Sequence, residues 1–322
     1  MRPYAYLLWA GALLLCGVVA RGQDYAWWND RHDWDGVSPW QDYLILSPAF
    51  MGPNALPVPF LRNGSIRRDA EFQLDTEGHF SRGDDTQNLH LRLFLPLFSD
   101  RVGLRIGSVP IEHYRMTPAT RDARRARDYD GRGVANGDVY LGTHVQLVRD
   151  HPRLPDVLLA VNLRTASGNR LSAARFTDTP GYFFDLSVGK TYSLAAAGAS
   201  IRPFAMVGFY VWQTYRDHNP QNDAFLYGLG SELSLNKVEL RTGLGGYIGY
   251  LNDGDRPVVY RFSLRTRRED HLVQYYGRLQ LGLHDLTYTS LRLGVVLQVG
   301  RLPKHRTGVG TRRGLAGEVA DP

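Results

Sequence analysis

The chain of 322 residues contains a single cysteine, and that cysteine lies close to the N-terminus. Cys16 falls within residues 1–22, MRPYAYLLWAGALLLCGVVARG, where Arg2 precedes an apolar stretch and a small-residue end. This is the pattern of a secretory signal peptide, so we expect cleavage near residue 22; a retained membrane anchor is the alternative. Leu15 stands where a lipoprotein signal needs a small residue, so lipidation is not expected. The mature chain would therefore hold no disulfide and no reactive thiolate.

Long apolar runs and strong net charge are also missing from the mature chain. No stretch after residue 22 approaches the roughly 18 consecutive apolar residues of a transmembrane helix. The formal charge of +6 lies mostly at the ends: two arginines fall in the signal peptide, and the tail 301–322 carries five Lys/Arg against Glu318 and Asp321. The nearly neutral body argues against nucleic acid as a partner. We expect the basic tail to be a disordered, solvated end.

Motifs of catalysis and of metal or nucleotide binding are absent as well. The histidines lack HExxH spacing, and GLGG at 243–246 lacks the lysine of a phosphate-binding loop. The acidic turns at 82–85 and 253–255 lack the regular oxygen-ligand spacing of a calcium loop. Ser108 with His113, or His144 with a serine on a neighbouring strand, are candidate hydrolase pairs, but no sequence order requires either. We expect no catalytic residue, no metal site and no cofactor.

Alternation of apolar and polar residues is the dominant pattern in what remains. In SLRLGVVLQVG, for example, Leu291, Leu293 and Leu297 share one face, while Arg292 and Gln298 share the other. Such stretches, bounded by Gly, Pro, Asn and Asp, predict antiparallel strands. Their length of about nine to thirteen residues exceeds that of ordinary strands and suits a bilayer crossing. The predicted strands are 66–75, 89–97, 102–112, 138–149, 156–165, 182–192, 201–213, 224–235, 238–250, 257–267, 271–283 and 288–300.

The connections between these strands alternate between long and short for the first four pairs. The long ones are 76–88, 113–137, 166–181 and 214–223, and short turns such as FSDR and HPRLP lie between them. Transmembrane β-barrels have short periplasmic turns and long external loops. Aromatic residues near strand ends suit the girdles at the two membrane interfaces: Tyr192, Trp212, Tyr250, Tyr275 and Tyr288. We therefore predict a closed antiparallel transmembrane β-barrel of about twelve strands over residues 66–300; a secreted soluble β-protein is the alternative.

Several stretches resemble the outer-membrane β-barrel proteins of Gram-negative bacteria, and more narrowly a group of uncharacterised Bacteroidota barrels. They include SPAFMGPNALPVP (47–59), LFLPLFSDRVGL (93–104), GDVYLGTHVQL (137–147) and TASGNRLSAARFTDTPGYFFDLSVGK (165–190). The resemblance implies a fold and an outer-membrane location, with membrane lipid, lipopolysaccharide and the barrel-assembly machinery as partners. It implies no activity. One departure is that such barrels commonly end on an aromatic residue, whereas here a tail follows Gly300.

Residues 23–65 stand apart from the strand pattern. They contain a cluster of tryptophans in acidic context, followed by four prolines between residues 47 and 59. Proline lacks the N–H that a strand ladder needs, so this segment is not expected to join a sheet. It is interpreted as a plug inside the barrel, a periplasmic arm, or a lead-in packed on the base of the barrel, which we favour. A carbohydrate-stacking patch is a further interpretation of the tryptophans.

Strand parity divides the charged residues between the two faces of the predicted barrel. If the leucine face contacts lipid, the pore-lining basic residues are Arg92, Arg105, Arg164, Arg241, Arg261, Arg265, Arg278 and Arg292. The corresponding acidic residues are Asp69, Glu71, Asp138, Asp185, Glu232 and Glu239. These charges predict either a polar channel that selects small solutes or a ladder of ion pairs that closes a narrow barrel.

We expect a narrow passive channel or transport-related pore for small polar or charged solutes. The alternatives are a lipid-modifying barrel enzyme and a closed structural barrel that displays its external loops. The arginine-rich region 113–136 is interpreted as a solvated, mobile loop, with binding of lipopolysaccharide phosphates as the alternative.

Overall fold

The computed structural model describes residues 24–97, 100–195, 198–267 and 272–298. The chain divides into two compact units, residues 1–43 and residues 44–322. The predicted signal peptide and the predicted tail lie outside the described residues. Within those residues, no helix has both the length and the apolar character needed to cross a membrane.

The first unit is built around one buried tryptophan. Helix α1 (Ala26–His32) is followed by the short 3-10 helix η1 (Trp40–Tyr43). Trp28 is fully buried between them, and its ring lies 5.2 Å from that of His32 and 5.8 Å from that of Tyr43, measured between centroids. Part of the tryptophan cluster therefore forms the apolar centre of this small unit.

The second unit contains a β-sheet that closes on itself. Twelve strands lie side by side in chain order, and each is antiparallel to both of its neighbours. The first and last strands pair from Glu71 with Gln298 to Ser81 with Tyr288, and this pairing completes the ring. The predicted closed antiparallel barrel of about twelve strands is confirmed. The strands are β1 (Glu71–Ser81), β2 (Asp84–Leu97), β3 (Val102–Met116), β5 (Tyr140–Val148), β6 (Asp156–Arg164), β7 (Gly181–Gly189), β9 (Ser200–Gln213), β10 (Gln221–Ser234), β11 (Val238–Ile248), β12 (Val258–Thr266), β13 (Val273–His284) and β14 (Tyr288–Gln298).

The outer face of the barrel is apolar and the inner face is polar. On β14, Leu291 and Leu293 are 51% and 57% exposed, whereas Arg292 between them is 4% exposed. The same outward exposure of large apolar side chains recurs around the ring, at Val161, Leu163, Phe184, Leu186, Val207, Phe209, Phe225, Leu244, Phe262, Leu264 and Leu279. A band of exposed apolar side chains on a closed barrel is the surface that a lipid bilayer covers.

The two ends of the barrel differ in what connects the strands. One end, here called the turn end, holds residues 149–155 and 235–237 together with the start of β1 and the end of β14. The other, the loop end, holds the longer connections 117–139, 165–180, 214–220 and 249–257. Among these, residues 117–139 contain helix α2 (Pro118–Ala123) and strand β4 (Arg132–Ala135), which pairs with β3. At the turn end, the short strand β8 (Tyr192–Ser193) pairs with β9.

The first hairpin differs from its prediction. The predicted loop 76–88 is instead the end of β1, a two-residue turn at Arg82 and Gly83, and the start of β2, so the first strand spans residues 71–81 rather than 66–75. Gly83 adopts a φ of +90°, which favours glycine. Some of the polar residues that suggested a loop point inward, and among them Glu77, His79 and Asp84 are almost fully buried, whereas Asp85 and Gln87 point outward and are exposed. Polarity misled the prediction because the lumen itself is polar.

Two of the predicted girdle aromatics also lie elsewhere. Trp212 is fully buried and donates its indole N–H to the carbonyl of Leu46. Tyr288 faces inward, where its ring contacts that of His79 at 4.3 Å. The other three, Tyr192, Tyr250 and Tyr275, are more than half exposed, as an interfacial position requires.

Candidate functional site

A segment of turns followed by irregular backbone, residues 44–66, runs along the inside of the barrel from the loop end to the turn end; we call it the plug. Near its start, the Ser47 hydroxyl donates to the carbonyl of Asp253 (2.8 Å) and the N–H of Gly52 donates to that of Ala174 (2.7 Å), both on loop-end connections. Near its finish, the N–H of Ile66 donates to the side chain of Gln146 on β5 (2.7 Å). Residues 44–66 thus occupy the lumen rather than the base of the barrel.

The plug is held chiefly by its backbone carbonyls, which accept hydrogen bonds from side chains of the barrel wall. Because its prolines prevent a strand ladder, these buried carbonyls need donors from elsewhere. The donor and acceptor pairs are Trp212 to Leu46, Arg164 to Ala55, Tyr247 to Leu56, Arg261 to Val58 and Pro59, Arg241 to Leu61, Arg202 to Asn63 and Gln146 to Gly64, all between 2.6 and 2.9 Å. The predicted lumen arginines therefore include several plug anchors.

Arg62 is the charged anchor of the plug. It forms an ion pair with Asp185 of β7, whose side chain is fully buried. Its other nitrogens donate to Asn162 Oδ1 (3.2 Å) and contact His144 Nε2 (3.4 Å). Asp185, one of the predicted acidic residues, thus binds the plug. His144, a candidate hydrolase residue, lies beside Arg62 of the plug.

Phe60 stands at the centre of a ring of arginines. The guanidinium carbons of Arg92, Arg105, Arg261, Arg278 and Arg292 lie 4.4–5.9 Å from the centroid of its ring. Cation–π attraction stabilises each such contact by about 0.5–2 kcal/mol. Phe60 of the plug therefore lies against the most basic part of the wall.

A cavity of about 390 Å³ lies on the turn-end side of Phe60, and we call it the arginine chamber. Among the described residues, eight arginines line it against three carboxylates, which are Glu71, Glu232 and Glu239. A smaller cavity of about 130 Å³ lies on the loop-end side and shares Phe60, Arg92, Arg105, Arg261 and Arg278 with the chamber. Four of the five arginines around Phe60 therefore border both spaces, and Arg292 borders the smaller cavity only.

Ion pairs within the barrel wall neutralise part of the positive charge of these arginines. Arg265 pairs with Glu71 (2.6 Å), Arg292 with Glu77 (2.8 Å) and Arg278 with Glu77 (3.6 Å). Glu77 also contacts His90 (2.8 Å) and accepts a hydrogen bond from the hydroxyl of Ser290 (3.0 Å). These ion pairs agree with the predicted ladder of ion pairs, but they lie on one side of the barrel only.

The remaining predicted acidic residues are spread between the two ends. Glu232 receives the amide of Asn63 (3.0 Å) and lies 3.9 Å from Arg241, while Glu239 lies 4.0 Å from Arg67. Asp138 precedes β5 at the loop end, where it receives the N–H of Gly168 (2.6 Å) and lies 3.8 Å from Arg164. Asp69 precedes β1, so it does not lie on a strand.

A buried ion-pair cluster fastens the loop end. Arg175 donates to Glu112 (2.6 Å) and to both oxygens of Asp84 (2.8 and 2.9 Å), and Arg124 donates to Asp84 (2.6 Å). Asp84 lies beyond the apolar band, because its outward neighbours Asp85 and Gln87 are polar and exposed. Burial alone would raise the pKa of Asp84, but the guanidinium groups of Arg175 and Arg124 outweigh it and lower that pKa. The loops and the barrel rim therefore form one connected structure at neutral pH.

Three functional residues were missed by the sequence interpretation. Glu77 has the same parity as Glu71 and would have been found had the first strand been extended to residue 81. Phe60 and Arg62 lie in a segment without periodicity, so no sequence signal assigns their direction. The candidate hydrolase pair is not assembled, since His113 points outward while Ser108 donates to the carbonyl of Gly137 (3.5 Å).

No protein-family model matches this sequence, and no curated protein matches it. The structure is similar to an outer membrane channel from Pseudomonas putida F1, with a TM-score of 0.50 and 12% identity over 76% of this chain and 100% of that one. It also resembles NanC porin (TM-score 0.44, 12% identity, 70% and 100% covered) and LpxR from Salmonella typhimurium (0.44, 8%, 70% and 100%).

The similarity to the Pseudomonas channel shows the fold of a bacterial outer-membrane β-barrel. At 12% identity, this similarity defines a fold and no activity. The narrower resemblance to Bacteroidota barrels stays a prediction.

Proposed function

We propose that this protein is a narrow outer-membrane channel for small anionic solutes, closed at rest by residues 44–66. The observation that carries the proposal is the excess of arginine over carboxylate around the arginine chamber. A cluster of like charges on the wall of a narrow pore attracts the opposite charge and repels its own. Solute passage then requires the plug to move aside.

The bonding of the plug supports reversible displacement. Most of its anchors are single hydrogen bonds from wall side chains to backbone carbonyls, rather than a strand ladder. Each contributes a net stabilisation of about 0.5–3 kcal/mol, the larger values applying to charged donors. Displaced carbonyls and guanidinium groups can bind water in a hydrated lumen, which lowers the cost of opening. The proposal requires no covalent chemistry from the chain and assigns it no catalytic role.

Location and orientation form part of the same proposal. The turn end, with the start of β1 and the end of β14, faces the periplasm, and the loop end faces outward, as in barrels with an even number of strands. Export by a cleaved signal peptide, insertion by the barrel-assembly machinery and contact with lipopolysaccharide belong to this proposal. The exposed arginines of residues 113–136, which are Arg115, Arg125 and Arg132, would lie near the lipopolysaccharide phosphates.

Single-channel recording of the refolded mature protein in planar bilayers, under a salt gradient, tests the proposal. We expect rare openings whose reversal potential indicates anion preference. Cation-selective openings would contradict the assigned charge selection. Silence from a protein shown to be folded and inserted would contradict a channel and favour a closed structural barrel.

A further inference from the structure

Three arginines that face Phe60 have no carboxylate partner among the described residues. Arg92 donates one hydrogen bond, to the neutral side chain of Gln73 (3.0 Å). Arg261 donates only to carbonyls of the plug and to Gln280. Within the described part of the chain, Arg105 makes neither a hydrogen bond nor an ion pair, and only the face of its guanidinium is engaged, by Phe60. Uncompensated charges inside a barrel are costly unless a counter-charge is supplied.

A fourth arginine points to the same space with unused donors. Arg278 is 3% exposed, and its Nε and Nη1 atoms are buried without a hydrogen-bond partner among the described residues. Its guanidinium carbon lies 4.4 Å from the Phe60 centroid. Because buried polar groups are satisfied in nearly all native structures, unused donors on a buried arginine indicate a missing acceptor.

Strand register brings two of these arginines together. Arg92 pairs with Gly107 and Arg105 with Phe94 on neighbouring strands, so the two arginines are diagonal neighbours on the inner face. Diagonal neighbours on an antiparallel pair lie about 7–8 Å apart, within reach of long side chains. Both also border the arginine chamber and the smaller cavity beyond it. One oxyanion could therefore be held by both side chains.

We propose that Arg92, Arg105 and Arg278 form an oxyanion-binding site beside Phe60, selective for the carboxylate or phosphate group of a small solute. Arginine matches these groups best because its planar fork can donate two parallel hydrogen bonds to them. The chamber volume of about 390 Å³ lies within the range of small-molecule sites. The site rests on the proposed function, since it would be the point at which a passing anion is held.

Isothermal titration of the full mature protein in detergent, at constant ionic strength in chloride, tests the site with inorganic phosphate and with succinate. We expect saturable binding of at least one probe, and the stronger probe identifies the group that is recognised. Arg105→Met should weaken binding at least about tenfold, as expected for the loss of a charge-assisted pair. Arg265→Met is the matched control, because it removes an arginine of the same chamber that already pairs with Glu71.

The outcomes separate the site from the channel. Weakening confined to Arg105→Met supports the site. Equal weakening in both folded variants, or no saturable heat with either probe, overturns it. Because titration does not require ion conduction, anion binding by a protein that shows no channel openings would contradict the proposed channel but not the site. Channel openings without saturable anion binding would contradict the site but not the channel.

Discussion

Replacement of Arg261 by methionine should open the channel, because Arg261 donates hydrogen bonds to two backbone carbonyls of the plug. Its two terminal nitrogens donate to the carbonyls of Val58 (2.6 Å) and Pro59 (2.9 Å). Hydrogen bonds from a charged donor each contribute about 1.5–3 kcal/mol. Allowing for relaxation of the neighbours, we expect the closed state to lose about 2–4 kcal/mol. Even the lower value raises the ratio of open to closed channels about 30-fold, since 1.4 kcal/mol corresponds to a factor of ten.

The matched control is Arg265→Met on the same strand. Arg265 lies two inward positions further along this strand than Arg261 and faces the same chamber. It donates hydrogen bonds to Glu71 and Gln274 of the wall and none to the plug. Open probability in planar bilayers should therefore rise in Arg261→Met and stay near the wild-type value in Arg265→Met. Equal open probabilities in the two variants, with both folded, would refute the reasoning that wall-to-plug hydrogen bonds keep the lumen closed.

Three further predictions concern the loop end and the lipid face. Arg175→Met leaves the buried Glu112 without its cationic partner and Asp84 with Arg124 alone, so thermal unfolding should show a loss of about 3–5 kcal/mol. Because the pKa of Asp84 is lowered in the folded state, its contribution is present above its ordinary pKa and is lost as the pH falls through the lowered value. The thermal unfolding midpoint should therefore decrease as the pH is lowered below about 4, and it should decrease less in the Asp84→Asn variant. Leu293→Arg should cost about 2–4 kcal/mol in equilibrium folding into vesicles, unlike a conservative Leu293→Ile.

The barrel could be predicted from the sequence because its signal is local. Residues such as Leu291 and Arg292 alternate with a period of two, and the same alternation assigns the arginines to the lumen. The first hairpin could not be delimited, because the inward residues around His79 are as polar as a loop. The rule that polar stretches connect strands fails where the interior of the barrel is itself polar.

The plug could not be predicted for a different reason. Its position depends on donors far away in sequence, such as Trp212 and Tyr247, which match carbonyls near Leu46 and Leu56. The prolines indicate only that the segment does not join a sheet. Whether an arginine of the inner face has a carboxylate partner also depends on residues far away in sequence, such as Glu71 for Arg265, so Arg105 and Arg265 cannot be distinguished from sequence alone.

The central claim is that residues 44–66 fill the lumen, and photocrosslinking tests it most directly. A benzophenone amino acid at Phe60 should crosslink to strands β2 and β13, which carry Arg92 and Arg278 beside that ring. The same probe at Phe262, which is 40% exposed on the outer face, should crosslink to lipid. Adducts of the Phe60 probe with lipid or with other proteins, and none with the barrel wall, would contradict the account.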